Sequence, residues 1–320
     1  MKMTSNIFNA HKTAQYLKSN NNYLILTHDN PDGDTLGSAF ALCYALRSIG
    51  KNANIIIEEM PKKFEFLGAD YFNQSFVPST VVAVDIASIG MFGQKTKQYY
   101  EKVDLCIDHH GSNSKYAKNL FLNETAAANC ENMYDVIEKM GVTITSLIAT
   151  CLYTGIATDT GCFKFSNVTP NTHIYAGALM TYGVDIATIN FALFEEKSRE
   201  YMLAEKMVID TLEYHADGKI ALCSVTKEIT DSTGLLQSDL DSMVAIPRRI
   251  AGVEIGITLK ERDDGFKVSF RTSEKVNATQ IASQFDGGGH LRAAGCFIKG
   301  DIDKVKRVVL TACQTVVEGL

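Results

Sequence analysis

Short continuous apolar runs recur through the first third of the chain. Tyr23-Leu24-Ile25-Leu26, Ala53-Asn54-Ile55-Ile56-Ile57, Thr80-Val81-Val82-Ala83-Val84 and Val103-Asp104-Leu105-Cys106-Ile107 have the length of strands and too little polar alternation for a half-exposed sheet. They read as strands covered on both faces, the pattern of a parallel sheet with helices on either side. Helical spacing fills the gaps. Residues 6–20 place Ile7, Phe8, Ala14 and Leu17 among polar positions, and residues 39–49 are apolar nearly all round, as a buried helix is, with Gly50 as its stop. Further helices are predicted over 125–139, 145–158, 172–181 and 198–212, with Thr169-Pro170 as a cap and first position ahead of the third of these. From about Gly218 the texture changes. Residues 219–226, 253–260, 266–271 and 294–298 read as strands, the middle two joined through Asp264-Gly265 as a hairpin, with helices over 238–250, 278–285 and 301–317. The fold class is therefore α/β: an N-terminal domain with a mainly parallel sheet flanked by helices (1–190), a helical connector (191–215), and a smaller α+β domain with a mixed sheet (216–320).

The polar residues that end the apolar runs change this picture most. The first strand runs into Thr27-His28-Asp29-Asn30-Pro31-Asp32-Gly33-Asp34, the third into Asp85, and the fourth into Asp108-His109-His110. A helix later ends in Asp159-Thr160-Gly161. In a parallel α/β sheet, the site lies beyond the carboxyl ends of the strands, so these residues point to one place. Imidazole and carboxylate without thiolate suit Mn²⁺, Mg²⁺ or Fe²⁺. His28, Asp32, Asp34, Asp85, His109, His110 and Asp159 are more donors than one ion needs, which makes two ions the economical reading. Asp29, in the same turn, is assigned no role.

Composition adds exclusions. With 320 residues the chain has room for two cores, and a net charge of −6 argues against a long footprint on duplex nucleic acid. The eight cysteines stand singly within apolar segments and read as reduced, buried side chains. No apolar run approaches the roughly 20 residues of a membrane span, and the first residues lack the hydrophobic stretch of a secretion signal. The expectation is a cytoplasmic protein without a membrane partner.

Taken in order, His28-x-x-Pro31-Asp32-x-Asp34-x-x-Gly37-Ser38, Val84-Asp85, Asp108-His109-His110 and Ala157-Thr158-Asp159-Thr160-Gly161 resemble the four motifs of the DHH phosphoesterases. Ser269-Phe270-Arg271 and Gly287-Gly288-Gly289-His290-x-x-Ala293-Ala294-Gly295 resemble the DHH-associated domain, so the resemblance covers nearly the whole chain. It implies two divalent ions, Mn²⁺ first, with Mg²⁺, Fe²⁺ or Co²⁺ as alternatives. One would be held by His28, Asp32 and Asp85, the other by Asp34, Asp85, His109 and Asp159. Asp108 would orient a ring, and His110 would face the substrate phosphate and assist the leaving group. Arg271, Ser273, Asn277, Gly287, Gly288, Gly289 and His290 would bind substrate, the glycines letting a phosphate or base approach the backbone. The first domain would then cut and the second measure the far end of the substrate.

Within the family the architecture resembles the stand-alone oligoribonucleases that degrade very short RNA and often dephosphorylate 3′-phosphoadenosine 5′-phosphate. A single-stranded RNA fragment or dinucleotide is the expected substrate. A phosphodiesterase of cyclic di-AMP or linear dinucleotides, and a non-catalytic metal-dependent nucleotide-binding protein, are the alternatives. The oligomeric state is open between monomer and homodimer.

Overall fold

The computed structural model of this chain describes residues 5–319. Among them, the first six strands are β1 (Asn6–Ile7), β2 (Tyr23–Leu26), β3 (Ala53–Ile56), β4 (Thr80–Val84), β5 (Leu105–Asp108) and β6 (Asn119–Leu122). They form one sheet in the order β1-β6-β5-β4-β2-β3, with every neighbouring pair parallel. β2, β4 and β5 are buried at every residue, which is why their sequences carry no alternation. Helices cover the sheet: α1 (Ala10–Ser19), α2 (Gly33–Ser48), α3 (Asn129–Met140), α4 (Ser146–Asp159), α5 (Pro170–Met180) and α6 (Ile186–Asn190). α2 packs closely on α4, and Leu36, Leu42 and Leu46 are fully buried. Each such leucine contributes about 1.5 to 3 kcal/mol of burial.

The helix expected over 6–20 is shorter than its pattern suggested. Asn6 and Ile7 pair with Asn119 and Leu120 as an edge strand, and the side chain of Asn9 then caps α1 by accepting from Lys12 N. The partner strand β6 has no counterpart in the sequence reading.

The chain divides into two units, the first ending at Glu196 and the second beginning at Lys197. The second unit contains α7 (Arg199–Asp210), β7 (Glu213–His215), β8 (Ile220–Val225), α8 (Lys227–Thr233), β9 (Ile255–Arg262), β10 (Gly265–Thr272), α9 (Ala278–Ala282), β11 (Gly288–His290), β12 (Ala293–Lys299) and α10 (Ile302–Glu318). Its sheet runs β11-β12-β10-β9-β8-β7, with β8 and β9 parallel and the other pairs antiparallel. Val305, Val309, Cys313 and Val317 of α10 pack on one face, against Ile257, Leu259, Val268 and Phe270. On the other face, Ala204 and Val208 of α7 join Cys223, Val225, Met243 and Ile246 in a smaller core. The segment read as a connector is thus divided: α7 is built into the second unit. The helix expected over 238–250 is two 3₁₀ turns, Asp241–Ala245 and Pro247–Arg249. Pro247 explains the break, since its ring removes a backbone donor and collides with the preceding turn of an α-helix.

Candidate metal centre

β2 lies between β3 and β4. The chain therefore leaves β2 on one side and returns to the sheet on the other, opening a crevice beyond the carboxyl ends of β2 and β4. His28 stands two residues after β2, Asp85 directly after β4, and Asp108 closes the adjacent β5, with His109 and His110 following. Asp85 is 2% exposed and has φ +60°, a left-handed backbone uncommon outside glycine.

Three helix ends complete the site. Asp32 is the N-cap of α2, and one of its carboxylate oxygens accepts from the N–H groups of Asp34 (3.0 Å) and Thr35 (3.1 Å). Asp34, one turn position inside, is fully buried. Its two oxygens accept from Asn129 N (2.5 Å) and Cys130 N (2.9 Å) at the start of α3, donors that a helix leaves free. Asp159 is the last residue of α4. The approach of these helices needs Gly155, where a Cβ would lie 2.2 Å from Cys130 Sγ and 2.7 Å from Asp34 Oδ1.

His28 Nε2 lies 3.6 Å from Asp32 Oδ1 and 3.8 Å from Asp85 Oδ2. His109 Nε2 lies 3.7 Å from Asp34 Oδ2, 3.5 Å from Asp85 Oδ1 and 3.4 Å from Asp159 Oδ2. These separations are long for hydrogen bonds, but atoms each about 2.1 Å from one ion sit about 3 to 3.5 Å apart. His109 Nδ1 is 3.1 Å from the carbonyl of Ala126, which can only accept; Nδ1 thus carries the proton, and in the neutral ring the Nε2 lone pair faces the space among the carboxylates, where a cation can take it. His110 Nδ1 donates to Asp108 Oδ1 at 2.7 Å.

The charges are unbalanced. Burial, then the neighbouring Asp34 and Asp32, raise the Asp85 carboxyl well above its ordinary range, and burial followed by Asp34, Asp32 and Asp85 pushes Asp159 up to about 9. Burial also raises Asp34, against the pull of His109. Asp108 differs: burial would raise it, but hydrogen bonds from His110 and Asn113 hold it below the usual carboxylate value. Asp85 Oδ1 is buried without a hydrogen-bond partner. A divalent cation fits this donor set, because it supplies both the missing partner and the missing positive charge. Donor atoms cluster closely enough for this in His28, Asp32 and Asp85, in Asp34, His109 and Asp159, and in Asp85, His109 and His110.

Parallel strands delivering imidazole and carboxylate to one crevice, with every cysteine a free thiol outside the cluster, form a candidate divalent-metal centre of the kind that metal-dependent hydrolases of phosphate esters use. The chain belongs to the DHH family: its N-terminal domain model matches residues 22–156, and the DHHA1 domain matches residues 218–318. A Thermus thermophilus protein named bifunctional oligoribonuclease and PAP phosphatase NrnA is 33% identical over 298 residues, covering 91% of this chain and 88% of that one. The protein of the same name from Bacillus subtilis is 25% identical over 295 residues, covering 90% and 93%. Among solved structures, an exopolyphosphatase-related protein from Bacteroides fragilis shares the fold with a TM-score of 0.79 at 22% identity, over 97% of this chain and 95% of that chain.

The other residues marked from the sequence lie in the second unit. Arg271 is partly exposed near the end of β10, and its guanidinium donates only to the carbonyl of Phe270 (3.0 Å) among the described residues. His290 and Gly288 are exposed on β11, the edge strand. Two of the marked residues hold structure: Ser273 donates to Glu254, and Asn277 caps α9 by accepting from Thr279 N at 3.0 Å. Gly287 and Gly289 are set by packing, since a Cβ at either would lie within 2.5 Å of a backbone oxygen.

Sequence reasoning predicted a helix over 125–139 but gave the first turn of α3 no part in the site. Asn129 and Cys130 clamp Asp34, and Asn132 Nδ2 donates to the Asp108 carbonyl at 3.2 Å. It also missed Asn113, which donates to Asp108 Oδ2 at 2.5 Å. The available signal was the pair of asparagines three apart opening a predicted helix.

Proposed function

We propose that this protein hydrolyses phosphodiester bonds of very short oligonucleotides to mononucleotides, and 3′-phosphoadenosine 5′-phosphate to AMP. The observation that carries the reading is the convergence of imidazole and carboxylate donors on Asp85, whose buried oxygen has no other partner. The names of the relatives support the substrate class.

Two divalent ions, Mn²⁺ by preference, would be held by His28, Asp32 and Asp85 and by Asp34, Asp85, His109 and Asp159. Bound there, they supply charge that offsets the crowded carboxylates and polarise water and phosphoryl oxygens. The chain's own residues do the rest. Asp108 fixes the His110 ring through Nδ1, which leaves Nε2 to hydrogen-bond a phosphoryl oxygen and, in the protonated ring, to give a proton to the departing sugar oxygen as the P–O bond breaks. His110 is held more basic than usual, first by that hydrogen bond and with help from Asp85. Arg271, Gly287, Gly288, Gly289 and His290 would anchor the remainder of the substrate, with Ser273 and Asn277 shaping the turn beside them.

Mn²⁺-dependent release of mononucleotides from dinucleotides, and of phosphate from 3′-phosphoadenosine 5′-phosphate, tests the reading. Asp85→Ala should reduce both to background while circular dichroism stays unchanged. A metal-loaded wild type that binds these compounds and never cleaves them would sink it.

A further inference from the structure

The register of the second sheet arranges one of its faces in rows. Arg271, Ala293 and His290 stand side by side across β10, β12 and β11; two residues along come Ser269, Gly295 and Gly288; two further come Lys267 and Phe297. All have the same facing, because side chains two apart share a side. Phe297 is 43% exposed, an aromatic ring open to solvent directly opposite an exposed lysine. A hollow of about 690 Å³ lies over this end of the face, lined by Arg262, Lys267, Gly288, Gly295 and Phe297, with Asp263, Asp264 and Cys296.

The lining carries two cations and two carboxylates, and each carboxylate has a lysine of its own outside the hollow. Asp263 pairs with Lys227 and Asp264 with Lys299, each at 2.8 Å. Among the described residues Lys267 has no ion-pair or hydrogen-bond partner, and Arg262 donates only to the neighbouring Glu261 carbonyl (2.9 Å), though its charge helps Lys227 hold the Asp263 carboxyl below the usual carboxylate value. At Gly295 a Cβ would lie 2.9 Å from the Val268 carbonyl oxygen, so packing keeps that part of the floor bare, but Gly288 has no such reason. Unlike its two neighbours, Gly288 would place a Cβ in open space, and its backbone is not left-handed.

We infer that this hollow is a second nucleotide subsite, in which a base of a single-stranded oligonucleotide stacks on Phe297 across the Gly288–Gly295 floor while Lys267 and Arg262 take the adjoining phosphate. An aromatic platform beside unpaired cations is the combination that holds single strands without reading their sequence. Four residues of strand separate Lys267 from Arg271, about 13 Å, so it takes two nucleotides beyond the one being cleaved to engage both ends of the face. The inference rests on the proposed substrate class and extends it: the protein favours three- and four-nucleotide substrates over what dinucleotide contacts alone would give.

The chain contains no tryptophan, so Phe297→Trp installs a single reporter at the platform. In the metal-loaded variant, tetra-adenylate should quench its fluorescence on mixing, ahead of product formation, and AMP should not. Phe297→Ala should lower kcat/KM for the tetramer relative to the dimer by about tenfold, and Lys267→Glu should act in the same direction. An unquenched reporter, equal losses on dimer and tetramer, or a change of sedimentation coefficient in Phe297→Ala marking this face as a contact between copies would each overturn the inference. Quenching without cleavage of any substrate would uphold the subsite while the hydrolytic reading fell.

Discussion

Both oxygens of Asp108 are spoken for: Oδ1 accepts from His109 N (2.8 Å), His110 N (3.3 Å) and His110 Nδ1 (2.7 Å), and Oδ2 from Asn113 Nδ2 (2.5 Å). An amide in its place would keep the volume but turn two donors face to face at one end. Asp108→Asn should therefore lower kcat about 10- to 100-fold, with KM for a dinucleotide little changed; a profile in which only KM rises would place Asp108 in binding instead. At this scale the sequence was informative where chemistry belongs to a side chain. A histidine or aspartate at a strand end announces itself, and His28, Asp32, Asp34, Asp85, His109 and Asp159 do gather in space. The groups that orient them were hidden because they are backbone: the Ala126 carbonyl on His109 and the Asn129 and Cys130 N–H groups on Asp34 could belong to any residue type. Asp32 and Asp34 diverge because a helix begins between them, which leaves one as a half-exposed cap and the other in the interior.

Among elements, the decisive contact is α2 against α4. α2 starts at the crevice and α4 ends there, so their close packing sets Asp34 beside Asp159. Gly155→Ala would force a methyl group into Cys130 Sγ and Asp34 Oδ1. Overpacking of this kind costs about 1 to 3 kcal/mol. The variant should unfold at lower urea and bind Mn²⁺ more weakly, the second effect separating it from a purely structural lesion. The strands of the first sheet's centre were legible because burial on both faces writes itself as unbroken apolar runs. β6 was not, since it is four residues long and begins with a part-exposed asparagine, and β11 was not, since glycine has no strand preference and pairing alone makes it extended.

For the molecule as a whole, crowding acidic groups makes stability depend on metal and pH together. Asp34, Asp85 and Asp159 have raised values in the folded chain, so without metal their contribution is complete below about pH 4 and lost as pH rises through the folded values, to about 9 for Asp159. His109, also raised despite its burial by the adjoining Asp34, acts with the same sign. Asp32 and Asp108 are lowered and act oppositely, but only below about pH 4. Chelator-stripped protein should therefore melt at progressively lower temperature from pH 5 to pH 9, and saturating Mn²⁺ should raise the melting temperature most at the alkaline end. A flat metal-free profile would show that the carboxylates are not crowded in solution. The left-handed backbone of Asp85 has a practical bearing on capturing this molecule with its substrate in place. Asparagine takes up that conformation as aspartate does, whereas alanine takes it up at a local cost of about 1 to 2 kcal/mol. Asp85→Asn is accordingly the better trap: it removes the shared charge, leaves the sheet end unstrained, and should hold an uncut oligonucleotide long enough for its polarity and length to be read directly.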